Sequence, residues 1–336
     1  MSGDLPGPVH GSDHAYFGVI RTFCATPLAH LPDDLAAADV AIIGAPFDEG
    51  VSYRPGTRFG PQAIREAEDI AQPSMRPSMH AGIDPFATLK VVDCGDINAV
   101  PADLARSHAL LETAVGNTLA VDTIPIVLGG DHSLSHPMLR ALTTRYGVDG
   151  FSVIHFDTHA DTGAHLSGVT ALSHGTPFHN AIGAGTLLGP NIFQIGLRGN
   201  WPWPEEFQWM RDQGMRWATM DEVEDRGIMD VVREAIEHAR SRAVRTYLTV
   251  DIDVLDPAFA PGTGTPEPGG LTTRELLRAV RTITAALDIA AMDLVEVSPP
   301  YDHAAITAMA GHRTVLEGLN GMALRRAGRA AQHERP

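Results

Sequence analysis

Short apolar runs alternate along the chain with longer segments in which apolar residues recur at helical spacing. The runs have the length and apolar character of buried strands: Val40–Ala45, Leu89–Val92, Ile124–Leu128, Val153–Phe156, Ile192–Ile195, Met215–Ala218, Tyr247–Val250 and Ala291–Val297. Residues 228–239 and 276–287 carry helical stripes, and Thr272 with Glu275 predicts a capping box before the second stripe. Strands and helices in alternation are typical of βαβ units. The pattern predicts an α/β protein with a parallel sheet of about eight strands.

The chain of 336 residues is long enough for one large domain or two smaller ones. No break in composition divides it, and no repeat is visible beyond the alternation of strand and helix. We therefore predict one three-layer domain over residues 36–324. Residues 1–35 are predicted to be an extension with little periodicity, and residues 325–336, rich in Arg and Ala, are expected to fray.

Composition and charge narrow the classes of function. Hydrophobic residues make up 44% of the chain, which is enough to bury a core and excludes disorder as the main state. Asp and Glu number 41 against 25 Lys and Arg, so the net charge is −16. No nucleic-acid partner is expected, because phosphate binding needs clustered positive charge. Small cations are the favoured ligands of such a protein.

The two cysteines, Cys24 and Cys94, are too few for a disulfide framework or a cysteine-type zinc site. The amino terminus lacks a basic region followed by an apolar stretch, and no apolar run reaches the roughly 18 residues of a membrane span. We therefore expect a cytoplasmic protein with no membrane partner.

Polar side chains follow four of the predicted strands, at the end where ligands bind in an open α/β sheet. These strand ends carry imidazole and carboxylate groups: His132; Asp157, His159 and Asp161; Asp251 and Asp253; and Glu296. The i, i+2 spacing within the second and third sets places side chains on one face of an extended chain. We expect these groups to converge in one crevice.

Four aspartates and two histidines in one crevice predict a metal site. A single His or Asp after a strand is most often a hydrogen-bonded core residue or a helix cap. Together, however, four carboxylates would repel one another and destabilise the fold without a counter-charge, which two divalent ions supply. A shell dominated by carboxylates, with two imidazoles and no thiolate, favours two Mn²⁺ ions over zinc or an iron–sulfur cluster.

With these motifs the sequence resembles the ureohydrolase family, which includes arginases, agmatinases, guanidinobutyrases and proclavaminate amidinohydrolase. The matching segments are Ser52–Ile64, Gly129–Ser133, Asp157–Asp161, His174–Thr176, Asp251–Pro257, Phe259–Leu271 and Glu296–Pro299. The resemblance implies a three-layer α/β/α fold around an eight-stranded parallel sheet. It also implies a hydrolase that converts a small guanidino compound to urea and an amine, in a homo-oligomer that is a trimer or hexamer.

The resemblance further implies which residues hold the two ions. One ion would be bound by His132, Asp157, Asp161 and Asp251, and the other by His159, Asp157, Asp251 and Asp253. Asp157 and Asp251 would then bridge the ions. Two such ions can share and activate a water that attacks the guanidinium carbon.

Glu296 and His174 are the expected catalytic residues. A guanidinium group needs a carboxylate partner, and Glu296 at a strand end can form a bidentate, charge-assisted pair with it. The structural alternative for Glu296 is an ordinary salt bridge. By resemblance, His174 protonates the leaving amine, a task suited to an imidazole. His165 and His179 lie nearby in the sequence and are the alternatives for this acid.

The segment Thr162–Ser173 is expected near the substrate tail, with Gly163 and Thr170 as substrate-binding residues. Arginases usually carry Asn where this chain has Gly163, and the segment holds no Arg or Lys, so nothing in it favours an α-amino acid. Agmatine, a dication, suits the acidic protein best. Guanidinobutyrate is the alternative, because Arg198 or Arg54 could hold its distal carboxylate. Guanidinopropionate and guanidine also stay open.

The sequence also allows two hypotheses from other functional classes. A catalytically silent relative would act as a metal-binding scaffold subunit, although such proteins usually lose a ligand or the acid, and none is missing here. A mononuclear zinc deacetylase would need only one Asp-His-Asp set, which is fewer ligands than this chain offers.

Overall fold

Parallel strands form the centre of the molecule. The computed structural model describes residues 21–30, 34–67, 77–164 and 172–329. Its strands are β1 (Val40–Ala45), β2 (Val91–Asp96), β3 (Ile124–Gly129), β4 (Phe151–Phe156), β5 (Ile192–Leu197), β6 (Arg216–Thr219), β7 (Arg245–Asp251) and β8 (Asp288–Val295). They pair, all in parallel, in the order β2-β1-β3-β8-β7-β4-β5-β6. The predicted eight-stranded parallel sheet is confirmed.

Helices connect the strands. They are α1 (Gly60–Glu66), α2 (Pro85–Thr88), α3 (Leu104–Ala120), α4 (Ser135–Tyr146), α5 (Pro177–Gly183), α6 (Pro204–Asp212), α7 (Met220–Arg226), α8 (Ile228–Arg242), α9 (Thr273–Ala286) and α10 (Ile306–Arg326). The capping box predicted before α9 is present. The Thr272 hydroxyl accepts from the Glu275 N–H at 3.3 Å, and the Glu275 carboxylate accepts from the Thr272 N–H at 2.8 Å.

The helices cover both faces of the sheet. Ile42 of β1 belongs to one buried apolar cluster and its neighbour Ile43 to another, because side chains alternate between the faces of a strand. The first cluster includes side chains of α8, α9 and α10, and the second includes those of α3, α4 and α5. Burial on both faces explains why the strands are apolar runs without alternation. The three-layer α/β/α prediction is confirmed.

Strand β2 extends further than its apolar run predicted. The prediction covered Leu89–Val92, whereas the strand is Val91–Asp96. Asp93 is fully buried within it and forms a bidentate ion pair with Arg65 of α1, at 2.9 Å to each of two guanidinium nitrogens. A buried carboxylate needs such a partner. Because Arg65 comes from another element, the local pattern could not show that polar residues continue this strand.

The four strands that precede the predicted site residues are neighbours in the middle of the sheet. Strands β3, β8, β7 and β4 are consecutive. Because all of them run in parallel, their carboxyl ends lie at the same edge of the sheet. The topology therefore brings together side chains that are up to 164 residues apart in the chain, the separation between His132 and Glu296.

Parts of both predicted terminal segments fall within the described residues. Phe23 and Cys24 are buried, and Leu28 pairs with Asp93 of β2. At the other end, α10 continues to Arg326. None of the helices in the described ranges combines the length and apolar composition that a bilayer span requires.

Candidate metal centre

His132 lies at the centre of the first group of predicted ligands. Its Nδ1 is 3.0 Å from a carboxylate oxygen of Asp157, 3.0 Å from one of Asp161 and 3.2 Å from one of Asp251. All four residues are buried. The ends of β3, β4 and β7 thus bring these four side chains into one cluster.

The hydrogen bonds of His132 leave its Nδ1 available to a cation. Thr249 donates its hydroxyl proton to Asp293 at 2.7 Å, so Thr249 Oγ1 accepts from His132 Nε2, 2.9 Å away. A neutral His132 therefore carries its proton on Nε2. Its buried Nδ1 has no hydrogen-bond partner and presents a lone pair to the surrounding carboxylates. A lone pair among anionic oxygens is favourable only with a cation between them, so the donor set fits a divalent metal ion.

The carboxylates around His132 favour a positive charge on its imidazole. Burial lowers the pKa of this imidazole, but the interaction with Asp157, Asp161 and Asp251 outweighs burial and raises the pKa well above its ordinary value. A metal ion at this cluster would therefore compete with a proton on His132.

His159 belongs to the second group of predicted ligands. Its Nδ1 lies 3.2 Å from Asp253 Oδ2 and 3.4 Å from Asp157 Oδ1. The other oxygen of Asp157, Oδ2, is the one that faces His132. The two groups of candidate ligands therefore share Asp157, with one carboxylate oxygen turned to each.

His155 also lies in this cluster, and the sequence analysis missed it. Its Nε2 is 2.8 Å from Asp157 Oδ2, and the side chain is fully buried. The two-residue period of a strand predicts this placement, because residues 155, 157 and 159 lie on the same face of an extended chain. Inside a mostly apolar strand, however, the sequence does not distinguish this imidazole from an ordinary core residue.

The carboxylates of the cluster differ in how readily they ionise. Burial raises the pKa of Asp253 to about 6. Burial, together with the charges of Asp253 and Asp157, raises the pKa of Asp251 well above its usual range. Burial also raises the pKa of Asp157, but the imidazoles of His155, His132 and His159 outweigh it and hold that pKa well below the ordinary value. Two carboxylates with raised pKa values indicate that the negative charge of this buried cluster is not fully compensated in the metal-free protein.

Two residues of the site have a left-handed backbone. Asp161 has φ of 53° and Glu296 has φ of 64°, a region that non-glycine residues enter at an energetic cost. Strand β8 ends at Val295, short of the predicted Val297, so the chain turns at Glu296. The Glu296 Oε1 then accepts from the His132 N–H at 2.9 Å. At Glu296 the strain lies where the chain leaves β8, whereas Asp161 lies in the loop that follows β4.

Glu296 and His174 lie in contact. His174 Nδ1 is 3.1 Å from Glu296 Oε1. On the other side of the ring, Nε2 accepts from the Ser52 N–H at 3.1 Å and lies 2.7 Å from the Ser52 Oγ, so in the neutral ring the proton is on Nδ1, facing Glu296. Burial lowers the pKa of His174, but the charge of Glu296 outweighs burial and raises it to about 9. His179 instead packs against Trp209, with 4.4 Å between ring centroids. Of the two, His174 is the histidine beside the predicted guanidinium partner.

Asp131 fixes the loop that carries His174. The Asp131 Oδ2 accepts from the Gly50 N–H at 2.8 Å. In turn, the Gly50 carbonyl accepts from the His174 N–H at 3.1 Å and from the Ser173 hydroxyl at 3.0 Å. The end of β3 therefore positions His174 through the loop that contains Gly50.

The predicted tail-binding segment is described only in part. Thr170 and the alternative acid His165 lie outside the described residues. The Gly163 N–H donates to the Gly175 carbonyl at 2.9 Å, and a β-carbon at position 163 would come within 2.9 Å of that same oxygen. Any larger residue at position 163 would therefore require the Gly175 peptide to move.

Arg198 is not available to a substrate carboxylate. Its guanidinium donates to backbone carbonyls, including those of Asp253 at 2.8 Å and Glu267 at 2.7 Å. It therefore braces the loops beside the metal cluster. Arg54 is different, because its guanidinium stands 5.1 Å from the ring centroid of Tyr53 and 5.3 Å from that of Tyr301. Across the described ranges, Arg54 pairs with no carboxylate.

Comparison with known proteins identifies the family. The model of the arginase family matches residues 38–320. The chain belongs to the arginase family. A guanidinobutyrase from Pseudomonas aeruginosa is 38% identical over 319 residues, which cover 95% of this chain and 97% of that protein. A mitochondrial agmatinase from Gallus gallus is 37% identical over 303 residues, covering 90% of this chain and 86% of that protein.

A solved structure shows the same relationship for this arginase-family chain. The structure of proclavaminate amidino hydrolase from Streptomyces clavuligerus matches with a TM-score of 0.82 at 36% identity, over 92% of this chain and 99% of that one. The resemblance drawn from the motifs and the arginase-like fold are both confirmed. The protein is an arginase-family ureohydrolase that acts on a guanidino compound. These relatives are named for different substrates, so similarity alone does not select one.

Proposed function

We propose that this protein binds two Mn²⁺ ions and hydrolyses agmatine to putrescine and urea. The observation that carries the proposal is the state of Glu296. Its Oε1 accepts from His132 and faces His174, whereas its Oε2 is buried and has no hydrogen-bond partner. An unpaired carboxylate oxygen beside a candidate metal cluster is the complement of a guanidinium group.

Space for that group is left by Gly264. A β-carbon at position 264 would lie 3.4 Å from Glu296 Oε2 and 3.1 Å from the Arg54 carbonyl. The absence of a side chain there keeps the unpaired oxygen open to a planar donor. Glu296 would therefore hold the guanidinium group at the edge of the cluster and fix the direction of its C–N bonds.

The proposed ligands of the ions are the two groups that meet at Asp157. His132, Asp161 and Asp251 would complete one site, and His159, Asp251 and Asp253 the other. Their oxygen-rich donor set suits Mn²⁺. When bound, such ions supply an activated water as the nucleophile. The mononuclear deacetylase hypothesis does not account for the second group around His159.

His174 is proposed to protonate the leaving amine. The negative charge of Glu296 favours a proton on Nδ1, which faces it, and the Ser52 N–H donates to the other ring nitrogen, Nε2. A general acid must keep its proton at the working pH and lie near the leaving group. Contact between His174 and the proposed guanidinium partner meets both conditions.

The tail of agmatine carries a second positive charge, and Glu206 offers it a partner. Glu206 Oε1 lies 3.9 Å from the place of a β-carbon on Gly163, and Oε2 is buried without a hydrogen-bond partner. Burial raises the pKa of this carboxyl group, and backbone hydrogen bonds from Trp203 and Ala164 offset the effect of burial only in part. A distal ammonium would compensate the charge further.

Guanidinobutyrate is the second candidate, and Arg54 is the observation that favours it. Because the guanidinium of Arg198 is hydrogen-bonded to backbone carbonyls, Arg54 remains as the cation that would bind a distal carboxylate. Its guanidinium is held between two aromatic rings, an arrangement that orients the donors without neutralising the charge.

A screen of urea release with Mn²⁺ present tests the proposal, with agmatine, guanidinobutyrate, guanidinopropionate, guanidine and arginine as substrates. We expect agmatine to give the highest kcat/KM. A higher value for guanidinobutyrate would make the second candidate the function. Release of urea from none of these compounds would favour the scaffold hypothesis.

A homo-oligomer, either a trimer or a hexamer, and a cytoplasmic location also remain proposals. Light scattering on the purified protein tests the first, and fractionation of cells tests the second. A monomer in solution would contradict the proposed assembly.

A further inference from the structure

A chain of buried polar groups lies behind the candidate metal cluster. Gln194 of β5 contacts His155 of β4, and His155 contacts Asp157 at the end of the same strand. All three residues are fully buried. Polar groups in such a position need defined hydrogen bonds, because an unpaired one is costly in a low-dielectric interior. The Gln194 nitrogen has two partners, whereas its Oε1 has none among the described residues.

The direction of these hydrogen bonds follows from one backbone carbonyl. A carbonyl oxygen only accepts, so the Gln194 atom 2.7 Å from the Ala160 oxygen must be the amide nitrogen. The same nitrogen lies 3.0 Å from His155 Nδ1. Its second proton therefore points to Nδ1, which must be the accepting nitrogen of the ring.

The tautomer of His155 is then determined. Because Nδ1 accepts, Nε2 carries the proton, and it donates to Asp157 Oδ2 at 2.8 Å. A ring with both nitrogens engaged in this way has no lone pair for a metal. His155 therefore lies among the candidate ligands without being one of them.

We infer that Gln194 is a positioning residue that sets the orientation of the Asp157 carboxylate through His155. This inference rests on the proposed metal site. Asp157 Oδ2 is held by His155 on the side of His132, while Oδ1 accepts from the His159 N–H at 2.6 Å on the other side. Each oxygen is thus held toward one of the two groups. A bridging carboxylate needs this orientation, and groups that orient metal ligands typically contribute 10- to 100-fold in affinity.

The test measures Mn²⁺ binding to chelator-stripped protein by titration calorimetry. Gln194→Met keeps the size of the side chain and removes both polar atoms, and His155→Phe removes the donor to Asp157. Asn191→Leu is the matched control, because Asn191 is also a buried amide, just before β5, and it donates to the Phe151 carbonyl at the other end of β4.

We expect about 10- to 100-fold weaker Mn²⁺ binding in Gln194→Met and in His155→Phe, and less than about threefold change in Asn191→Leu. The double variant should bind no more weakly than His155→Phe alone, because the two residues act in series. Electron paramagnetic resonance should show loss of the spin-coupled Mn²⁺ pair in the Gln194 variant.

Unchanged Mn²⁺ affinity in folded Gln194→Met, or additive losses in the double variant, would overturn the inference. If Gln194→Met does not fold, Gln194→Glu replaces it, because a carboxylate keeps the shape but cannot donate to Ala160 and His155 together. Wild-type protein that binds no Mn²⁺ would instead refute the proposed function. The two failures are therefore distinguishable.

Discussion

His174 Nδ1 and Glu296 Oε1 lie 3.1 Å apart, although 122 residues separate them in the chain. They meet because Gly50 binds the backbone of His174 and is itself held by Asp131, just after β3, and β3 is the neighbour of β8. The contact joins the proposed acid to the proposed guanidinium partner. Removal of either group therefore disturbs the protonation or placement of the other.

Replacement of His174 by Ala should lower kcat by roughly 10²- to 10⁴-fold, the usual contribution of a general acid. Both metal ions should remain bound, because His174 belongs to neither ligand group. Urea release and metal content measured on the same sample check this. His238→Ala is the control, since His238 packs against Phe193 of β5, outside the cluster. An unchanged rate in His174→Ala would assign the proton transfer to another residue.

The rate should also fall at alkaline pH as His174 loses its proton. Burial lowers the pKa of His174, but the negative charge of Glu296 outweighs burial and raises the pKa to about 9 in the metal-free protein. Bound cations lower this pKa, so the acid form should be lost as pH rises, at or below this value. A profile of kcat against pH should show this alkaline limb. The same limb in His174→Ala would contradict the assignment.

Loss of a bridging carboxylate should be more damaging than loss of a terminal one. Asp157→Ala and Asp251→Ala each remove a proposed bridge and should lower both metal content and turnover more than Asp253→Ala. Metal analysis and urea release should be run together. Equal losses of turnover with full metal retention in all three variants would refute the bridging assignment.

Removal of the metals should destabilise the protein more at neutral pH than in acid. In the metal-free fold the pKa of Asp253 is raised to about 6, and that of Asp251 is also raised. The stability these groups contribute is fully present below the ordinary aspartate pKa and is lost as pH rises through the folded value.

Melting temperatures with Mn²⁺ or chelator at pH 5 and pH 7.5 test this. At pH 7.5 we expect chelation to lower Tm by about 5 °C or more, because Mn²⁺ in large excess over its Kd stabilises the folded state before it is removed. A chelator effect that is equal or larger at pH 5 would show that the cluster tolerates its own charge.

Glu206 should determine affinity for a cationic tail. Glu206→Gln removes a charge-assisted hydrogen bond of about 1.5–3 kcal/mol and should raise the KM for agmatine by roughly 10- to 100-fold. Guanidine, which has no tail, serves as the control substrate. Equal effects of Glu206→Gln on agmatine and guanidine would remove Glu206 from the tail site.

Arginine should be at least about 100-fold poorer than agmatine in kcat/KM, because its α-carboxylate would be desolvated without a donor.

The sequence by itself determined the architecture and the place of the chemistry. Apolar runs alternating with helical stripes predicted the parallel sheet, and the carboxyl ends of such strands must share one edge. His132, Asp157 and Asp251 were therefore identifiable, because each lies at or shortly after the end of a buried strand. These patterns involve residues that are close together in the chain, so the sequence alone reveals them.

Only the tertiary structure decided which side chains touch across elements. Arg198 was a candidate for a substrate carboxylate until its guanidinium was found on the carbonyls of residues 253 and 267, contacts that span 55 and 69 positions. Gln194 reaches the cluster only because β5 lies beside β4. Hydrogen bonds between distant residues depend on strand order and loop path, which the local pattern of polar and apolar residues does not encode.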